Sequence, residues 1–389
     1  MLNKLNYKII KAINLSLNKK KPPATLHEPL FTKLDTDVLY KCIKSGYVST
    51  VGNYVNNFEY EIKKFTDSKH AISTINGTAA IHLALRLLGI SRGDEVILPS
   101  ITFVATANAI SYCGATPHFV DSELSTFGID VHRLEKYLYE NCKIIKGECI
   151  NNKTQKKIKA IIAVHVFGMP MEIKNLVRVA KKFKLKVIED AAEALGSYYE
   201  NIHVGNYGDI GILSFNGNKI ITTGGGGMLL TNSNKIAKYA KHLSGVAKKK
   251  HKWEYFHDEV GFNYRMPNIN ASLGFSQILK IHKLLEAKKK LHINYKKNFA
   301  SLKEIKFITD DFCRTSNNWL NTIFIIKSNI YIRNKILGSL HRRGYFCRPA
   351  WVPLHKLPMY KMCPRDKMNN AKIIEKSVIN IPSSPYFYY

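Results

Sequence analysis

Short apolar runs alternate with segments of helical spacing between residues 70 and 190. The predicted strands are His70–Thr74, Glu95–Leu98, Thr116–Val120, Ala160–Val164 and Lys186–Asp190. The predicted helices between them are Ala79–Leu88, Phe103–Cys113 and 172–183. Buried parallel strands are near-continuous apolar runs joined by helical crossovers, so this alternation predicts a parallel sheet wrapped by helices. We therefore expect an α/β fold, a three-layer sandwich around a mostly parallel sheet.

The segments that flank this region predict the remaining organisation. Apolar residues at positions 2, 5, 9, 10 and 13 have helical spacing with lysines between them. This pattern predicts a packing helix, with a helix on a membrane surface as the alternative. We assign residues 1–35 to this helix and a linker, 36–265 to a large domain, and 266–389 to a small α+β domain. A long helix, Ile269 to about Leu302, links the two domains, and residues 140–157 are interpreted as a polar excursion.

The composition is that of a folded protein with a sizeable core. The chain has 389 residues, of which 45% are hydrophobic, so two domains of ordinary size are expected. No apolar run approaches the roughly 18 residues of a membrane span. Seven cysteines are scattered without a Cys-x-x-Cys pair. Such a pattern is typical of reduced thiols in the cytoplasm rather than of a disulfide framework or a zinc site.

The net charge of +30 raises the question of a nucleic-acid partner. Lysines occur along nearly the whole chain, however, with only short clusters such as Lys19–Lys21 and Lys248–Lys250. No RNA-binding or zinc-finger signature accompanies them. A compositional drift toward lysine explains the charge, so we expect no nucleic-acid partner. A positive field still favours an anionic substrate such as a nucleotide sugar.

One lysine lies between two apolar segments and is the first candidate for chemistry. Lys219 follows the strand-like run Asp209–Phe215 and precedes the four glycines Gly224–Gly227. Glycines allow a tight loop and close backbone approach, which would confine the Lys219 amine. A desolvated lysine amine is a nucleophile toward carbonyl groups. The alternative is a surface lysine beside a glycine turn.

Other candidates follow predicted strands, at the sheet edge where ligands of parallel sheets bind. Asn76-Gly77-Thr78-Ala79 places a glycine turn at a helix start, where free N–H groups attract phosphate. A plain threonine cap explains the same residues. Ser214 either donates to a phosphate or satisfies its strand end. Phe103 is either a core residue or a ring that stacks on a flat ligand.

Asp190 closes an apolar strand and needs a cation, because a buried unpaired carboxylate is costly. The candidate partners are a structural cation, a backbone cap and a protonated ring nitrogen. A loop lysine, an isolated carboxylate, a stacking ring and a phosphate-binding helix start are together the parts of a pyridoxal phosphate site. The sequence therefore predicts that this cofactor binds at the sheet edge.

At these residues the sequence resembles the fold-type I, pyridoxal phosphate-dependent nucleotide-sugar aminotransferases of the DegT/DnrJ/StrS class. The resemblance runs from about Leu26 to Pro382 and is carried, in order, by Asn76–Ala80, Pro99–Thr106, Glu189–Gly196, Gly208–Lys219, Thr222–Gly227 and Gly261–Met266. Within the class, residues 26–29, 216–219 and 224–227 are most similar to the LegC-like branch. The resemblance implies the aspartate-aminotransferase-like fold.

The resemblance also implies a role for each candidate residue. Lys219 matches the lysine that forms the Schiff base and moves the proton at the substrate carbon. Asp190 matches the partner of the pyridine nitrogen, Glu193 lies near the phenolic oxygen, and Phe103 stacks on the ring. The phosphate-binding positions are Gly77, Thr78, the Ala79 amide, Ser214 and, from the neighbouring subunit, Asn263. Arg265 and His355 match positions near the sugar-nucleotide pocket, although each is equally a structural polar group.

The implied enzyme is a homodimer that uses L-glutamate to aminate a nucleotide-linked 4-keto-6-deoxy hexose. The LegC-like similarity points to a UDP-linked 2-acetamido sugar and to a 4-amino product for surface glycans. A 3-aminotransferase or another pyridoxal phosphate sugar enzyme of the same family is one alternative. A non-catalytic, basic polyanion-binding protein on the same fold is another. Relatives usually carry a further terminal helix beyond the position of Tyr389, so we expect different packing at that end of the small domain.

Overall fold

The computed structural model describes residues 2–18 and 22–389. Met1 and the predicted lysine cluster Lys19–Lys21 lie outside the described residues. The α-helices are α1 (Leu2–Ser16), α2 (Lys33–Lys44), α3 (Asn53–Thr66), α4 (Gly77–Leu87), α5 (Val104–Tyr112), α6 (Val131–Asn141), α7 (Ile173–Lys182), α8 (Asn234–Ser244), α9 (Asn268–Ile278), α10 (Ile281–Phe299), α11 (Ile330–Arg342) and α12 (Asn369–Ser377). The strands are β1 (His70–Thr74), β2 (Glu95–Pro99), β3 (Thr116–Val120), β4 (Cys142–Ile145), β5 (Glu148–Asn151), β6 (Lys157–Val164), β7 (Lys186–Asp190), β8 (Tyr198–Tyr199), β9 (Ile202–His203), β10 (Ile210–Ser214), β11 (Gly227–Thr231), β12 (Ile305–Phe307), β13 (Arg314–Thr315), β14 (Asn321–Ile325), β15 (Arg348–Pro349) and β16 (Val378–Ile381).

The large sheet has the strand order β1-β11-β10-β7-β6-β2-β3. The strands from β10 to β3 are parallel to one another, whereas β11 is antiparallel to both β1 and β10. All residues of β2 and β11 are buried, as expected for strands covered on both faces. The predicted α/β class, with a mostly parallel sheet along this path, is confirmed.

The polar residues 140–157 contain a hairpin, which the interpretation as a polar excursion did not include. β4 and β5 form an antiparallel hairpin, and β5 continues the pairing onto the first residues of β6. The turn residues Lys146 and Gly147 have φ of 50° and 79°, which is the left-handed geometry of a two-residue hairpin turn. Cys142 and Cys149 point into the core. Lysines and asparagines surround this hairpin, so the short apolar alternation of its two strands was not recognised in the sequence.

The predicted continuous helix from Ile269 to about Leu302 was wrong, because α9 ends at Ile278 and α10 begins at Ile281. At the break, the buried Lys280 bonds to the carboxylate of Asp35 and, at 3.0 Å, to the carbonyl of Leu30. A buried cation requires such partners. Apolar periodicity continues across this break, so it could not reveal the long-range ion pair.

A second core lies around an antiparallel sheet of order β12-β14-β16-β15. α1 belongs to this core: Ile9, Ile13 and Leu17 are fully buried, and α1 packs along α10. The apolar face of α1 is therefore used in packing, as the first interpretation of its spacing predicted. The domain boundaries at residues 35 and 265 stay predictions. Within residues 2–18 and 22–389, no helix combines the length and apolarity needed to cross a bilayer.

Candidate active site

A cavity of about 370 Å³ opens at the carboxyl ends of the parallel strands, where ligands of such sheets bind. Seven of the sequence-predicted site residues line it, namely Gly77, Thr78, Phe103, Asp190, Glu193, Ser214 and Lys219. They come from segments spread over more than 140 positions of the chain. The sheet topology brings them together because β7 and β10 are adjacent and parallel and α4 begins beside β10.

The start of α4 has the features of an anion site. Asn76 caps the helix by accepting the Ala79 amide at 2.8 Å, and first-turn amides such as those of Gly77 and Thr78 have no partner within the helix. A Cβ added at Gly77 would lie 3.2 Å from the Ser214 Cβ, so the glycine lets β10 approach the helix start closely. Because the Ala79 amide is engaged by the cap, its predicted part in phosphate binding stays a prediction.

Asp190 ends β7 as a buried carboxylate with few partners. It accepts the Thr106 hydroxyl at 2.8 Å and the Ala192 amide at 3.2 Å. Burial raises the pKa of Asp190, although those two hydrogen bonds and the charges of Lys219 and His165 oppose the effect. A buried carboxylate with so few partners is stabilised strongly by a cationic group that enters the cavity.

Lys219 extends into the cavity, so the interpretation as a surface lysine was wrong: its side chain is only 13% exposed. Its Nζ lies 3.2 Å from Glu193 Oε1 and 4.0 Å from the ring centroid of Trp319. The loop that carries it is closed by a bond from the Lys219 amide to the Asn216 carbonyl, at 3.0 Å. The amine is therefore held inside the site by a carboxylate and an aromatic face.

Glu193 is held in turn by the backbone of Phe167, which has a strained conformation. The Phe167 amide donates to Glu193 Oε2 at 2.9 Å, and Phe167 has a φ of 57°, which non-glycine residues rarely adopt. Burial raises the pKa of Glu193, the Lys219 charge lowers it, and the nearby Asp190 raises it further. Two acids and one lysine thus line the same cavity.

Phe103 lies at the N-cap of α5 and is 55% exposed, so the alternative of a core residue was wrong. Its ring borders the cavity, where it is free to cover a flat ligand. Trp319, Trp351 and Thr106 also line the cavity, although no sequence pattern had indicated them. Two of the chain's three tryptophans line this cavity, and only their rarity offered a signal.

Besides Ala79, three predicted residues are not among those that line this cavity. His355 is buried and bonds to the Ser100 hydroxyl through Nδ1 at 2.7 Å; burial, with the charge of Arg365, lowers its pKa to about 4. Arg265 is exposed and lines a separate cleft of about 250 Å³. Asn263 is exposed and forms a backbone bridge with Gly245. The roles predicted for these three residues stay predictions.

The donor set fits pyridoxal phosphate. The under-partnered Asp190 suits a protonated ring nitrogen, the helix start with Ser214 suits a phosphate, and the Lys219 amine suits an aldehyde. Phe103 suits the face of a planar ring. The fold and this site together define a pyridoxal phosphate-dependent aminotransferase.

Comparison with known proteins gives the family. The model of the DegT/DnrJ/EryC1/StrS aminotransferase family matches residues 31–388, and the chain belongs to this family. It is 37% identical to the GDP-perosamine synthase of Escherichia coli O157:H7, over 92% of this chain and 93% of the relative. It is 30% identical to the UDP-4-amino-4,6-dideoxy-N-acetyl-beta-L-altrosamine transaminase of Campylobacter jejuni subsp. jejuni serotype O:23/36, over 90% and 89%. The structure of Spr1654 from Streptococcus pneumoniae in its PLP-form superposes with a TM-score of 0.82 at 26% identity, over 92% of each chain.

Proposed function

We propose that the protein transfers the amino group of L-glutamate to C4 of a nucleotide-linked 4-keto-6-deoxy hexose. The observation that carries this proposal is that Lys219 and Asp190 line one cavity, with an anion-binding helix start beside them. The names of the relatives support a nucleotide-linked amino sugar, and the Campylobacter name specifies a 4-amino product. The substrate we favour is a UDP-linked 2-acetamido sugar, as in the LegC-like branch.

A GDP-linked sugar is the second candidate, because the relative at 37% identity carries the name GDP-perosamine synthase. The two candidates differ in the nucleotide and in the group at C2. An anionic carrier of either kind suits the net charge of +30. Amino transfer to UDP-linked and GDP-linked keto sugars, measured side by side, distinguishes the two candidates.

The residues of the cavity divide the work of amino transfer. Pyridoxal phosphate, when bound, supplies an aldehyde and an electron-withdrawing ring. Asp190 holds the proton on the ring nitrogen. Lys219 removes and returns the proton at the substrate carbon, and Glu193, 3.2 Å from Nζ, orients the amine between these events. Lys219 and Glu193 are 13% and 9% exposed, so their side chains are already largely desolvated.

The test is amino transfer from ¹⁵N-labelled glutamate to a panel of UDP- and GDP-linked 4-keto and 3-keto sugars. We expect a 4-amino product from the UDP-linked 2-acetamido sugar, and no product from Lys219→Ala. Lys174→Ala is the matched control, because Lys174 forms only an exposed ion pair with Glu200. A 3-amino product would refute the regiochemistry. Salt-sensitive DNA retention without cofactor binding would favour the polyanion-binding alternative.

We also propose that the enzyme is a homodimer in which Asn263 completes the neighbouring site. The exposed position of Asn263, outside its own cavity, is consistent with a role in trans. Mixing the inactive Lys219→Ala and Asn263→Ala variants tests this arrangement. Half of the dimers are then hybrids with one intact site, so about a quarter of the wild-type activity should return. If Asn263 acts on its own subunit's site, mixing restores nothing.

A further inference from the structure

The amine of Lys219 lies over the face of an indole. Its Nζ is 4.0 Å from the Trp319 ring centroid, while Glu193 Oε1 binds the same atom at 3.2 Å from another direction. A cation this close to a tryptophan face is attracted by the negative potential of the ring. Trp319 is 4% exposed, so water screens this attraction little.

One side chain fixes both partners of the amine. Asn317 Nδ2 donates to the Glu193 carbonyl at 2.9 Å, and Asn317 Oδ1 accepts the Trp319 amide at 2.8 Å. Gly168, with a φ of 90°, provides the space for this amide, since a Cβ there would lie 2.1 Å from Asn317 Oδ1. The carboxylate and the indole are therefore held at a set separation.

Trp319 is also bonded through its indole N–H and its backbone carbonyl. Trp319 Nε1 donates to the Asn218 carbonyl at 2.7 Å, next to Lys219 in the chain. The fully buried Lys288 donates to the Trp319 carbonyl at 3.1 Å, and burial lowers the pKa of Lys288. Trp319 is therefore held through its indole N–H, its backbone amide and its backbone carbonyl.

The other titratable groups near the amine are Asp190, on β7, and His27. The ring centroid of His27 lies 6.4 Å from that of Trp319, and burial, followed by the charges of Lys288 and Lys219, lowers its pKa. His27 is therefore neutral at pH 7 and does not compete as a cation. Within the described residues, Glu193 and Trp319 are the groups in direct contact with the amine.

We propose that Trp319 is a positioning residue that, with Glu193, holds the Lys219 amine when that amine carries a proton and is not bound to the cofactor. The proposal rests on the function proposed above, in which Lys219 is the reacting lysine. An indole face attracts an ammonium group far more than a neutral amine. The protonated amine is thus kept within reach of the site between the two halves of amino transfer.

The test uses cofactor-free protein and does not depend on activity. Trace labelling with acetic anhydride at pH 7.5, read by mass spectrometry, gives the labelling rate of Lys219 relative to exposed lysines. Only the neutral amine reacts, so Trp319→Leu should raise this rate by about two- to thirtyfold, the range expected for a lost cation–π contact. Trp319→Phe, which keeps a weaker aromatic face, should give an intermediate increase.

The controls separate this role from access and from packing. Trp351→Leu enlarges the same cavity where Trp351 packs against Phe167, and it should raise the Lys219 rate less than either Trp319 variant does. Trp319→Phe and Trp319→Leu both lose the bond to Asn218, so equal increases in the two variants would show a purely structural role and overturn the proposal. An equal increase in Trp351→Leu would overturn it too.

If Trp319→Leu fails to fold, the test uses the Trp319→Phe variant alone. A Lys219 labelling rate in Trp319→Phe equal to that of the wild type then overturns the proposal. These results are distinct from a failure of the proposed function. That failure would appear as a wild-type protein that does not bind pyridoxal phosphate. Unchanged labelling in Trp319 variants of a protein that binds the cofactor normally would overturn only the inference about Trp319.

Discussion

Replacement of Asp190 by asparagine should have opposite effects on the cofactor-free protein and on cofactor binding. The side chain keeps its shape, its Oδ1 can still accept the Ala192 amide, and the new amide can donate to the Thr106 hydroxyl. That hydroxyl can then turn toward Thr102, 3.2 Å away. The substitution therefore removes a buried charge without orphaning its neighbours.

The magnitude follows from the cost of burying an under-partnered polar group, about 1–3 kcal/mol. At an unfolding entropy of about 2 cal/mol/K per residue, this corresponds to a rise in Tm of roughly 1–4 °C for the cofactor-free protein. Because burial raises the pKa of Asp190, the native state binds its proton more tightly than the unfolded chain. The wild-type stability from this group therefore falls as pH rises above the ordinary pKa of an aspartate, about 4. The gain from Asp190→Asn should accordingly be larger at pH 7 than at pH 4.

Cofactor binding should change in the other direction. Loss of a buried charged partner typically costs at least about 2 kcal/mol, so the Kd for pyridoxal phosphate should rise by roughly 30-fold or more. The assays are thermal unfolding of cofactor-free protein between pH 4 and 8 and a fluorescence titration with pyridoxal phosphate. An Asp190→Asn protein that is less stable without cofactor, yet binds it as wild type does, would refute this reasoning.

Asp121→Asn is the matched control for the stability measurement. Asp121 is equally buried but well paired, with Arg133 at 3.1 Å and the amides of Ser122, Asn370 and Ala371 within 3.0 Å. Its neutralisation should lower the free energy of unfolding by about 1.5–3 kcal/mol, because it weakens hydrogen bonds to a charged acceptor. Asp190→Asn should therefore raise the free energy of unfolding of the cofactor-free protein, whereas Asp121→Asn should lower it.

Two further substitutions test the elements that shape the site. Lys280→Met leaves the buried Asp35 unpaired and should cost about 3–5 kcal/mol in urea unfolding at pH 7. Burial alone would raise the pKa of Asp35, but its hydrogen bonds, led by that from Lys280, lower it. The difference in stability between wild type and Lys280→Met should therefore close as pH falls below about 4. A Lys280→Met variant as stable as wild type at pH 7 would contradict this. Gly227→Ala places a Cβ 2.5 Å from the Asn76 backbone and should lower both Tm and cofactor affinity, whereas Gly217→Ala, with nothing within 4 Å, should leave Tm within about 1 °C. Equal Tm values for the two alanine variants would show that the close approach of β11 to the start of α4 is unimportant.

Much of the sheet could be predicted because its strands are short, apolar and separated by helices of regular spacing. β1, β3 and β7 have the predicted bounds. Lys219 and Asp190 were found for a related reason: each stands beside a buried run, where a charged residue is unusual. Their shared cavity then followed from the rule that parallel strands present their carboxyl ends at one edge.

The parts that could not be predicted depend on contacts between distant segments. Trp319 and Asn317 lie about 100 positions after Lys219, in an irregular segment without periodicity. Asp35 and Lys280 meet across more than 240 positions, and Lys280 lies where the predicted continuous helix is interrupted. Local patterns carry no information on such pairs, since side-chain placement there is decided by tertiary packing.

Reduction of the cofactor-loaded protein with borohydride, followed by peptide mapping, tests the central claim most directly. The chain contains 48 lysines, so nonspecific attachment would spread over many sites. We predict that the cofactor mass is fixed on the peptide that contains Lys219, and that Lys219→Ala abolishes the label. Attachment at another lysine, or a label that persists in Lys219→Ala, would contradict the account.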